Sequence, residues 1–99
     1  MEYQYDEEKK YLHDFVETFA SKIENQHCLE DLEKLIADEV QFALEELKNK
    51  VQAYTSIVVD IIKDGKSITK MKTNQVDFYE EKKIDKGFCI VLIRCSAFF

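Results

Sequence analysis

The hydrophobic pattern of this chain changes period once, close to residue 53. Before that point, apolar residues recur every three or four positions, which is the period of a helix buried on one face. After it, the apolar residues gather in short runs that are typical of strands. Two helices followed by antiparallel strands predict a single α+β domain over residues 1–99, of order ααβββ, with a sheet of three to four strands. This order cannot build the parallel βαβ units of most nucleotide enzymes.

The helical half predicts two helices, over about 6–24 and about 28–51. In the first, the apolar stripe consists of Leu12, Phe15, Val16, Phe19 and Ile23. In the second, the stripe is Leu29, Leu32, Ile36, Val40, Ala43, Leu47 and Val51, widened by Leu35, Phe42 and Leu44. Acidic residues crowd the start of both helices, where they complement the helix dipole.

The second half predicts three strands of unequal character. The first, over 54–63, is apolar on both faces, which indicates a central or doubly covered strand. Asp64-Gly65 then predicts a tight hairpin. The second strand, over 67–79, is polar and carries lysines, as an exposed edge does. The charged run 80–87 predicts a connection with at most a short strand, and the last strand covers 88–98.

Charge and length restrict the function. The chain has a net charge of −6. Its first fifty residues contain 14 acidic and 6 basic residues, so the helical half is acidic. An acidic helical layer argues against nucleic-acid binding, which needs a basic face. We expect no signal peptide, because the first ten residues have no apolar run, and no membrane insertion, because the apolar stretch 88–93 is too short. Three cysteines without metal-ligand spacing favour a reducing compartment, most simply the cytoplasm.

Few residues are candidates for chemistry. The possible nucleophiles and soft metal ligands are His13, His27, Cys28, Cys89 and Cys95. Adjacent side chains such as those of His27 and Cys28 point apart, and Cys89 and Cys95 are too distant along a strand to share a bond or an ion. We read Cys89 and Cys95 as buried small apolar residues. We read the paired carboxylates as solvated helix faces. The sequence therefore predicts no catalytic residue, no metal site and no cofactor.

The polar second strand remains as the candidate binding site. An extended peptide can add to such an edge through backbone hydrogen bonds. About five bonds at roughly 0.5–1.5 kcal/mol each give about 2.5–7.5 kcal/mol. This is less than the roughly 8.2 kcal/mol of a micromolar complex, so side-chain pockets or the two linked sites of a dimer must supply the rest. A solvent-facing hairpin arm without a ligand is the alternative reading of the same pattern.

The order and spacing of these elements resemble the Tctex-type dynein light chains. The first strand is entered through an aromatic residue, Tyr54, and continues Thr-Ser-Ile-Val-Val. Residues 76–80, Val-Asp-Phe-Tyr-Glu, are a counterpart of the aromatic–acidic turn of the family, and residues 88–91 resemble its last strand. The family places a further strand between that turn and the last strand, for which only 80–87 is available here.

The resemblance implies a homodimer that exchanges the second strand, and a dynein intermediate chain or cargo segment that adds beside it. It also implies a non-catalytic adaptor in the cytoplasm or on the cytoskeleton, including the axoneme. The implied contact strand consists of Ile68, Thr69, Lys70, Met71, Lys72, Thr73 and Asn74. Two other functions stay open: a small acidic dimeric chaperone resembling secretion chaperones, and a small enzyme that uses His27 or Cys28.

Overall fold

The protein is described by a computed structural model that covers residues 6–50, 54–63 and 76–99. Its elements are α1 (Asp6–Glu24), α2 (Leu29–Lys50), β1 (Tyr54–Ile62), β2 (Phe78–Asp85) and β3 (Ile90–Phe98). The predicted α+β class, with two helices followed by an antiparallel sheet, is confirmed. Both helices agree with their predicted bounds within a residue.

Helix α1 buries the stripe that its sequence predicts. Asp6, Glu7 and Glu8 form its acidic first turn, and Lys22 lies in the last turn, so both ends complement the dipole. The buried residues of the helix are Leu12, Val16, Phe19, Ala20 and Ile23. Phe15 is partly buried and its ring stacks on that of Phe19, with 5.8 Å between centroids.

Helix α2 is less deeply buried than its pattern suggests. Leu32, Ala43 and Leu47 are buried, while other members of the stripe are partly exposed. Phe42, which the sequence placed on the widened stripe, is 58% exposed. The three-to-four-residue spacing locates the centre of a buried face well, but its width depends on the neighbouring surface.

The described sheet has the strand order β1-β3-β2, and both pairs are antiparallel. Strand β3 is central and is buried from Val91 to Ala97. The sequence indicated a central or doubly covered position for residues 54–63, but in the described sheet β1 lies at an edge. Both strands are apolar on two faces, so their sequences alone do not say which one lies between two neighbours.

The charged run 80–87 was predicted to be a connection, and this was wrong: most of it belongs to β2. Ile84 is buried against the core, and Glu80 and Lys82 lie on the face covered by α1. Charged side chains are tolerated on this strand because α1 supplies their partners. Of the predicted second strand, residues 76–77 precede β2 and Phe78 and Tyr79 begin it. Its residues 67–75 and the predicted Asp64-Gly65 hairpin lie outside the described residues.

A two-residue turn joins β2 to β3. The Lys86 amide donates to the Cys89 carbonyl at 2.9 Å, which closes the turn. Gly87 has a φ of +85°, a conformation that side chains disfavour, and its amide donates to Asp85 Oδ1 at 2.9 Å. Glycine at the first central position is the signature of a tight hairpin turn that matches the twist of the strands.

The core lies between the helices and one face of the sheet. Helix α1 packs on β2 and β3, and α2 packs on β1. The sheet contributes the alternate residues Ile57, Ile84, Val91, Ile93, Cys95 and Ala97. Among the ranges described, no helix combines the length and apolar character needed to cross a membrane.

Candidate functional site at the outer edge of the first strand

The contact strand implied by the sequence lies outside the described residues. It comprises Ile68, Thr69, Lys70, Met71, Lys72, Thr73 and Asn74. In the described sheet, β1 and β2 each pair with β3 alone, so β1 is one of its two edge strands. We call the side of β1 that faces away from β3 the outer edge of β1.

Strand β1 is long and regular enough to act as a template. Its nine residues pair continuously with β3, from Tyr54 opposite Phe98 to Ile62 opposite Ile90. In an antiparallel ladder, alternate residues direct their backbone groups to opposite sides, so about half of β1 presents donors and acceptors along the outer edge. No described strand other than β3 pairs with β1.

A cleft adjoins the start of this edge, between β1 and the C-terminal part of α2. It has a volume of ≈ 240 Å³ and is lined by Leu44, Leu47, Lys48, Tyr54 and Thr55. Thr55 Oγ1 is buried and has no hydrogen-bond partner, whereas the Tyr54 side chain is 86% exposed. A buried hydroxyl without a partner carries a desolvation cost that a polar ligand group can relieve. The cleft therefore combines the apolar side chains of Leu44 and Leu47 with the polar groups of Lys48, Tyr54 and Thr55.

An ion pair fixes β1 to the central strand on the sheet face opposite the helices. Arg94 Nη2 of β3 lies 2.6 Å from Asp60 Oδ2 of β1. The Arg94 side chain is 8% exposed, whereas that of Asp60 is 38% exposed. Asp60 is directly opposite Leu92, so the pair is a diagonal one across the ladder. Such a contact holds the register of β1 and with it the position of the outer edge.

A second polar cluster lies at the opposite side of the sheet, where α1 covers β2. His13 Nδ1 contacts Glu80 Oε1, and Lys82 Nζ donates to Glu17 Oε2 at 2.8 Å. We call these four residues the α1–β2 seam. The hydrogen bond and charge of Glu80 raise the pKa of His13 above 6.5. The hydrogen bond from Lys82 lowers the pKa of Glu17, and the same bond raises the pKa of Lys82.

The residues considered for nucleophilic chemistry do not come together. His27 and Cys28 are exposed in the loop between the helices. Cys89 and Cys95 are buried free thiols, which confirms their reading as small apolar residues. Burial raises the pKa of Cys95 to about 12, so its reactive thiolate is strongly disfavoured.

Two features of these sites escaped the sequence reading. The spacing of His13 and Glu17, four apart on one helix, is a local signal that places both on one face. Their meeting with Glu80 has no such signal, because it depends on how α1 lies on the sheet. The same holds for Thr55 and its cleft.

Compared with protein-family models, curated proteins and solved structures, the chain gives no match.

Proposed function

We propose that this chain is a non-catalytic dimeric adaptor that binds extended peptide segments by β-strand addition. In the dimer, residues 68–74 of one copy pair with the outer edge of β1 of the other. The ligand, a segment of a dynein intermediate chain or of a cargo protein, then adds beside the exchanged strand. The outer edge of β1 is the observation on which this proposal depends, because it offers nine residues of strand with one described neighbour.

The order of the elements supports the proposed class. The resemblance to Tctex-type light chains requires a strand between the aromatic–acidic turn and the last strand. Strand β2 (Phe78–Asp85) includes the last three residues of that turn, continues through most of 80–87 and pairs with the last strand. The segment 80–87 therefore contributes to a strand next to the last strand, as the family pattern requires.

The position of β1 supports strand addition as the mode of binding. Strand β2, the next described strand in the chain, lies on the far side of β3, and no described strand pairs with the outer edge of β1. Backbone pairing alone gives too little free energy for a micromolar complex. The cleft at Leu44, Leu47 and Thr55 adds a side-chain pocket next to the edge, and a dimer doubles the number of sites.

Light-scattering mass measurements test the proposal. The free chain, of 11.7 kDa, is expected to run as a dimer and to gain the mass of two peptides when a dynein intermediate-chain segment is added. A monomer that binds no intermediate-chain peptide would contradict both parts of the proposal. A dimer that binds other extended peptides but not this one would retain strand addition and reject the dynein assignment.

Proline substitution tests the strand itself. A Thr69→Pro/Met71→Pro double variant loses two backbone donors and is expected to lose both dimerisation and peptide binding. The matched control is Thr69→Ala/Met71→Ala, which removes the side chains but keeps both N–H groups. Unchanged peptide affinity in a folded proline variant would show that residues 68–74 are not the contact strand.

A further inference from the structure

The α1–β2 seam contains three side chains that can serve as metal ligands. His13 and Glu17 are one helical turn apart on α1, and Glu80 faces them from β2. One ligand atom from each lies within 4.8 Å of the other two. In a tetrahedral site with bonds of about 2.0–2.2 Å, two ligand atoms lie about 3.3–3.6 Å apart. Rotations of the exposed His13 and Glu17 side chains toward Glu80 close that difference.

One oxygen of Glu80 has no hydrogen-bond partner among the described residues. Its Oε1 contacts His13, while its Oε2 is buried. Charged oxygens that are removed from water normally find a donor or a cation. A cation between α1 and β2 supplies this oxygen with the positively charged partner that the described groups around Glu80 do not provide.

The charge and the ligand types of the seam define the class of ion. Two carboxylates and one imidazole carry a charge of −2 before Lys82 is counted, and about −1 with it. Imidazole nitrogen with carboxylate oxygen is a donor set that suits Zn²⁺ and neighbouring first-row ions better than Mg²⁺ or Ca²⁺. Lys82 occupies only one oxygen of Glu17, so the second oxygen remains for the ion.

We propose that His13, Glu17 and Glu80 form a binding site for a divalent transition-metal ion of the zinc class, with water in the remaining coordination positions. The ion joins α1 to β2 within a single chain. The site therefore does not require the dimer or the peptide, and it stands or fails separately from the proposed adaptor function.

Calorimetric titration of the full chain with Zn²⁺ alone is the test. The expected stoichiometry is one ion per chain, and Co²⁺ in its place is expected to give visible absorption bands. His13→Gln and Glu80→Gln are each expected to weaken Zn²⁺ binding by roughly tenfold or more. Circular dichroism checks that each variant is folded. Because His13→Gln changes an exposed helix residue, it tests the site even if Glu80→Gln does not fold.

His27 and Cys28 provide the matched control, because they are an exposed pair of potential ligands elsewhere in the chain. A His27→Ala/Cys28→Ser variant is expected to bind Zn²⁺ as the unaltered chain does. The proposal is overturned if the unaltered chain binds no Zn²⁺. It is also overturned if binding disappears in the His27/Cys28 variant and survives in His13→Gln.

Discussion

At the scale of single residues, the polar side chains with specific partners are those that connect a helix to a strand. His13, Glu17, Glu80 and Lys82 look like ordinary surface residues in the sequence, yet they form two ion pairs between α1 and β2. Ion pairs at such exposed positions contribute little to stability individually. They give the charged residues of β2 partners of opposite charge on the face of α1 that covers the strand.

The His13–Glu80 pair predicts a pH dependence of stability in the metal-free protein. The folded pKa of His13 is raised above 6.5, so the stabilisation is fully present below pH 6.5 and is lost as the pH rises through the folded pKa. With a chelator present, the free energy of unfolding in urea is expected to fall more between pH 6 and pH 8.5 than it does in Glu80→Gln. Equal changes in the two proteins would show that the pair contributes nothing. An NMR titration of His13 gives the pKa directly.

At the scale of elements, β2 shows how a charged sequence becomes a strand. Residues 80–83 read Glu-Glu-Lys-Lys, which is typical of a solvated loop. In β2, successive side chains point alternately to the helix-covered face and to the opposite face. Ile84 is the one residue of β2 that is buried. The pairing of β2 with the apolar β3 and the tight turn at Gly87 determine the strand more than its own composition does.

Substitution of Gly87 tests the role of that turn. A Cβ atom at Gly87 meets no atom within 4 Å, so its cost comes from the backbone conformation alone. At a φ of +85°, Gly87→Ala is expected to lower the free energy of unfolding by about 1–2 kcal/mol. Gly87→Asn is the matched control and is expected to cost less, because asparagine tolerates positive φ. Equal loss from both variants in urea unfolding would point to a cause other than backbone strain.

At the scale of the whole molecule, the β1 and β2 sides of the sheet differ in the helix that covers them and in the groups that flank each strand. On the β2 side, α1 covers the strand and pairs with its charges. On the β1 side, α2 covers one face, the cleft at Thr55 adjoins the strand, and no described strand pairs with the outer edge. The proposed dimer uses this difference, because exchange of residues 68–74 would extend the sheet on the β1 side alone.

Strand exchange predicts that thermal stability depends on concentration. If the folded state is a dimer, each tenfold increase in chain concentration adds about 1.4 kcal/mol per dimer. The melting temperature is then expected to rise by roughly 3–6 °C for each tenfold step. The Thr69→Pro/Met71→Pro variant, if it folds as a monomer, is expected to show no such dependence. A constant melting temperature for the unaltered chain over a hundredfold range would contradict an obligate dimer.

The sequence by itself determined both helices, the strand at 54–62 and the burial of Cys89 and Cys95, because local periodicity and apolar runs report which face of an element leaves water. The tertiary structure alone decided that β3 is central, that the charged residues 80–85 form a strand, and that His13 meets Glu80. These depend on contacts between residues far apart in the chain, and no local pattern encodes such contacts. The change of period near residue 53 therefore predicts the fold class, while the tertiary structure determines which of the described strands lie at the edges of the sheet.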